Sequence, residues 1–125
     1  MKKLLTIIVL GLFFFNSAQA TMTVDAFLKI INDKNENTRE MREYTLKLAL
    51  LGMANAYILT NYVLENKGEK KFFCLPEKFK LNSKNLISIA DRQIKEDIKA
   101  GMDVKKYGVH IFVFEGLKNT FPCKN

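Results

Sequence analysis

The 125-residue chain carries 20 basic and 13 acidic residues, for a formal net charge of +7, and 48% of it is apolar. That size suits one domain with a single core. Arg39, Arg42 and Arg92 are the only arginines and none alternates with aromatic residues, so the basic excess does not point to nucleic acid.

The chain opens on "MKK", an apolar run "LLTIIVLGLFFF" and the small residues of "NSAQA". This is the three-part layout of a secretory signal peptide, with cleavage expected after Ala20. The apolar run is too short for a spanning helix, which needs roughly 20 residues, so an exported protein with no stable membrane insertion is expected. The double lysine and short run are of bacterial type, which makes the periplasm the expected destination.

Residues 21–125 then form a single helical domain with four predicted helices. In the first, "TVDAFLKIIND", Thr23 can cap the helix, Asp25 suits its first turn, and Phe27, Ile30 and Ile31 share a face. The second runs from a capping box of Asn37 and Glu40 to Gly68 at its C-terminal cap. Its positions 48–64, "LALLGMANAYILTNYVL", carry no charge. A helix apolar nearly all round is expected at the centre, covered by the others. Gly52, Ala54 and Ala56 are the places where a neighbouring helix could come close.

Pro76 keeps "GEKKFFCLPEKFKL" out of regular structure. The third helix begins at Asn82 or Ser83 and stops at Gly101, with Leu86, Ile89, Ala90, Ile94 and Ile98 as its apolar stripe. The fourth is expected from about Asp103 to Asn119, burying Tyr107, Ile111, Phe114, Leu117 and Phe121. Its "VHIFVF" also favours a strand, but one strand alone would have no partner.

Cys74 and Cys123 are the only cysteines. In an oxidising compartment they have one intramolecular pairing, which would tie the loop entering the third helix to the tail leaving the fourth. A metal site would want about four ligands, and there is one histidine and no further cysteine. A catalytic thiol would need its partner kept apart from it.

The positive charge is uneven. Residues 21–65 hold five basic and six acidic groups, whereas residues 66–125 hold thirteen and seven. A lysine face is commonly mere solvation, and its sharper reading is steering toward an acidic protein partner. No case for catalysis emerges. His110 reads as a half-buried structural histidine, Ser83 and Ser88 show no triad spacing with it, and no glycine-rich phosphate loop is present. No cofactor or metal is expected.

Three segments carry a family resemblance: "LALLGMANAYIL" with its inner glycine, "FCLPEKFKLNSKNLISIADRQI", and "VFEGLKNTFPC". With the leader, they resemble the Tai/Rap family of type VI secretion immunity proteins, small periplasmic helical proteins that neutralise peptidoglycan-cleaving amidase effectors. The chain departs from many members in lacking further cysteines and in having "KAGMDVKK" where they have a proline-containing turn. The resemblance implies an all-α domain, a small four-helix bundle with one disulfide, that fills an amidase cleft and does no chemistry itself. The contact surfaces it suggests are the 99–106 turn, with Lys99, Met102, Lys105 and Lys106, and the 67–71 loop, with Lys70 and Lys71. Family members are often dimers. The apolar helix permits that, and burial inside one subunit would account for it equally. The alternatives are a general periplasmic binding or chaperone-like module without a dedicated toxin and, more remotely, a small hydrolase.

Overall fold

Four helices and one 3-10 turn account for the regular structure in the computed structural model, which describes residues 21–124; the expected leader lies outside them. The helices are α1 (Val24–Asn32), α2 (Arg39–Asn66), α3 (Ser83–Lys99) and α4 (Val109–Thr120), with the 3-10 turn at Glu36–Thr38 before α2. The domain is an all-α four-helix bundle closed by one disulfide, with no strand among the described residues.

Local chemistry sets most of the boundaries. The Thr23 hydroxyl accepts from the Ala26 amide and caps α1. Asn82 and Asn85 exchange side-chain and backbone bonds in a capping box that starts α3. Gly68 and Gly101, at φ +71° and +87°, end α2 and α3. In both places the next amide bonds back to the helix, Glu69 to the Leu64 carbonyl and Met102 to the Asp97 carbonyl. That is a Schellman closure, and its left-handed residue is at no steric cost only as glycine.

Two boundaries differ from the expected ones. Asn37 and Glu40 form no capping box. Instead Asn35 caps the 3-10 turn, and Asp33 accepts from the Asn35 amide while pairing with Arg42 at 2.8 Å. The longer side-chain network before the helix outcompetes the local box. The fourth helix starts at Val109 rather than near Asp103. Backbone groups in 104–109 are committed elsewhere: Tyr107 bonds back to Val104, the Val24 and Asp25 amides donate to the Tyr107 and Lys105 carbonyls, and the Val109 amide donates to Met22. Pairing with residues 22–25 thus replaces a helical turn.

The core gathers Phe27 from α1, Leu46, Leu50 and Ala54 from α2, Leu86, Ala90 and Ile94 from α3, and Val109, Val113 and Leu117 from α4, with Phe73 and Val104 from the loops. The tightest approach is between α3 and α4. A Cβ on Gly116 would sit 2.6 Å from Ile89 Cγ2 and 3.1 Å from its carbonyl oxygen. On α4 the buried face is Val109, Phe112, Val113, Gly116 and Leu117, so the expected stripe is rotated and Tyr107 and Ile111 point outward.

The expectation that α2 is covered on all sides is also corrected. It buries Leu46, Leu50, Ala54 and Asn61, while Met41, Tyr44, Leu48, Leu59, Tyr62 and Val63 are exposed. Ala54 meets the core as anticipated, but Ala56 is exposed and a Cβ on Gly52 would meet nothing within 4 Å. The reason is geometric: α3 and α4 pack on each other, and together with α1 they reach only one side of a 28-residue helix.

Candidate functional site

The two surfaces singled out by sequence lie at opposite ends of α4, roughly 18 Å apart along a helix of 12 residues.

The C-terminal end holds the disulfide. Cys74 and Cys123 are bonded, with Cα atoms 4.9 Å apart, and the Cys74 amide donates to the Phe121 carbonyl at 2.8 Å. Buried Asn61 clamps the same strip of chain from the other side. Its amide nitrogen donates to the Phe73 carbonyl at 2.8 Å, and its oxygen accepts from the Phe72 amide at 2.9 Å. Phe73 is fully buried, and Phe121 stacks on Phe79 with centroids 4.8 Å apart. An open groove of about 480 Å³ runs past the bridge, lined by Glu65, Glu69, Lys70, Lys71 and Lys124. Lys71 is paired with Glu65 at 2.7 Å, so this predicted contact lysine is already engaged by the fold. This end is built to hold the molecule together.

The N-terminal end of α4 is a corner made by the end of α3, the 100–108 connection and the first turn of α4. Buried Val104 anchors the connection, and the bonds to Met22, Val24 and Asp25 fix its backbone to the start of α1. Ile98, Met102, Tyr107 and Ile111 are exposed around it. Met102, Val104, Tyr107, Ile111 and Phe112 line a groove of about 340 Å³ with Asp97 and Asp103 on its rim. Lys99, Lys105 and Lys106 are exposed on the same connection and the helix end that leads into it. Lys105 also contributes to lowering the Asp25 carboxyl below the usual carboxylate range, after the hydrogen bond from Lys29.

Met102, Lys105 and Lys106 were legible as surface candidates because they follow the stop at Gly101, and Lys99 because it ends α3 just before it. Tyr107, Ile111 and Ile98 were not. Their apolar character had assigned them to the core, and only the late start of α4 turns Tyr107 and Ile111 outward.

His110 is half-buried in the first turn of α4. Its backbone oxygen accepts from the Tyr57 hydroxyl at 2.9 Å, and burial raises the pKa of that phenol. The imidazole packs over Gly108, where a Cβ would sit 2.4 Å from Nδ1, and Nδ1 is enclosed without a hydrogen-bond partner. Among the described residues no group of three His, Cys, Asp or Glu side chains is placed to hold a metal ion, and no helix is long and apolar enough to cross a membrane.

No family model matches the chain, and no curated protein or solved structure matches it either.

Proposed function

We propose that the chain is a periplasmic immunity protein that binds a type VI secreted peptidoglycan amidase effector and blocks it sterically, without chemistry of its own. The observation that carries this reading is the corner: three apolar side chains, Met102, Tyr107 and Ile111, exposed along one groove beside a connection whose backbone is hydrogen-bonded to the start of α1. A pre-ordered apolar patch loses little conformational entropy on docking, which suits the occlusion of a cleft. Lys99, Lys105 and Lys106 beside it would steer the protein toward an acidic rim and make association sensitive to salt. The disulfide suits an oxidising compartment. The segments "FCLP" and "FPC" that carry the family resemblance are the two that meet at the bridge.

Co-expression tests the proposal. Cells exporting a candidate amidase encoded nearby should survive only when this protein is exported with it, and a pull-down from periplasm should recover the pair. Lysis despite co-export, with no complex recovered, would refute it. The exposed apolar surface of α2 favours the second reading, a general binding or chaperone-like module. That reading requires binding to many unfolded clients, whereas tight one-to-one binding to a single enzyme excludes it.

A further inference from the structure

The bridge between Cys74 and Cys123 is not sealed inside the fold. Both cysteines are partly exposed, and both line the open groove of about 480 Å³ at the C-terminal end of α4. Cys74 also lines a second groove of about 260 Å³, whose walls include Ile58, Tyr62 and Leu75. The bridge therefore lies where a charged channel and a more apolar one meet. Three lysines, Lys70, Lys71 and Lys124, line the charged channel against two glutamates, Glu65 and Glu69, which leaves one positive charge in excess. Access helps decide how fast a disulfide exchanges, and exposed bridges are the labile ones. What surrounds this bridge also holds its two strips of chain without it. The Cys74 amide donates to the Phe121 carbonyl, Asn61 bonds to both Phe72 and Phe73, and Phe79 stacks on Phe121. Breaking the S–S bond leaves those contacts intact, so the two sulfurs stay close and the bond can open and reclose within the folded domain.

We propose that this bridge is a thiol–disulfide exchange site, which a dithiol reaches through the groove while the domain stays folded. A thiolate of the dithiol attacks one sulfur of the bridge and forms a mixed disulfide, and the other sulfur leaves as a thiolate. The second thiol of the reagent, also as thiolate, then displaces the sulfur still bound. Two electrons and two protons pass to the protein, which ends with two thiols, and the reagent ends as a disulfide. The reverse sequence, with an oxidised dithiol, remakes the bridge. The attacking species is an anion, and the lysine excess along the groove favours its approach. The site is at the opposite end of α4 from the corner, so it needs nothing from a partner seated there.

Reduction of the processed protein by dithiothreitol, followed by alkylation and mass spectrometry, reads the outcome. The rate should rise in proportion to the reagent and change less than about twofold between zero urea and the foot of the unfolding transition. Helix content, followed by circular dichroism, should persist throughout. A rate that climbs exponentially with urea along the unfolding equilibrium would mean that only the unfolded chain is attacked, and it overturns the proposal. Lys124→Glu, at an exposed position, tests the route. In low salt it should slow reduction by anionic glutathione at least about twofold, and reduction by 2-mercaptoethanol less. Equal slowing, or none, overturns the groove as the route. A thioredoxin at equal thiol concentration distinguishes the source of the dithiol. A rate above that of dithiothreitol, with the excess lost in Tyr62→Glu, assigns the site to a protein dithiol seated on the apolar channel. Any other result in that arm assigns it to small thiols.

Discussion

The two ends of α4 solve opposite problems. At its C-terminal end the chain satisfies itself: a disulfide, a buried asparagine with both polar ends bonded, and a lysine paired with a glutamate. At its N-terminal end only the backbone is satisfied, and the side chains of Met102, Tyr107 and Ile111 turn to solvent. Rigidity without side-chain closure is what a recognition surface requires, whereas side-chain closure is what a small core requires. The molecule keeps the two requirements at separate ends of one helix.

The contrast is broken most severely at the bridge. Cys74→Ser or Cys123→Ser should lower stability by about 4 kcal/mol on the chain-entropy model, for a loop with a sequence separation of 49. Thermal melting of the oxidised protein and each variant checks this, and an unchanged melting curve would mean that the bridge contributes nothing. Next comes Asn61→Leu. It strands the Phe72 amide and the Phe73 carbonyl, each at roughly 1–3 kcal/mol, so a loss of about 2–6 kcal/mol is expected in urea unfolding. A loss near zero would show that water replaces both bonds.

A smaller effect is expected at Asp33. The backbone bond from Asn35, then Arg42, holds its carboxyl below the ordinary value of 3.8. A carboxyl lowered in the folded state contributes stability above its unfolded value, and that contribution disappears as pH falls through the folded value. Melting temperature should therefore drop more steeply below pH about 4 in the wild type than in Asp33→Asn. Parallel acid limbs would remove the network from the account of how α2 begins.

The smallest effect is expected at the corner. Met102→Ala and Tyr107→Ala should each leave stability within about 0.5 kcal/mol, because neither side chain is buried. Their effect should fall on binding to the proposed amidase partner, measured by titration calorimetry. A large stability loss would make the corner structural and erase the distinction between the two ends.

What was legible in the sequence follows the range of the chemistry. Thr23, Asn82, Gly68 and Gly101 act within four residues, and each did what its type and place implied. The cysteine pairing was legible because only two cysteines exist. The covered side of α2 was not, because an uncharged stretch offers no polar face to mark the outside. The start of α4 was not, because hydrogen bonds to Met22, Val24 and Asp25 decide it from the far end of the chain. Gly116 offered no signal of its own. Its need for close packing belongs to Ile89 on another helix. Asn61 lies within an uncharged run that offers no sign of its partners, and it is a clamp on the loop beside the bridge. The same long-range bonds made the Tyr107 and Ile111 part of the candidate site the hardest to foresee.

The bonds between residues 22–25 and 105–109 tie Val24 to Tyr107, some 83 positions away, and the disulfide waits for Cys123. Neither closure is therefore available until residues 105–123 have been made. A shorter nascent chain has neither fastening and remains threadable, and the shape is set only once that segment has been delivered.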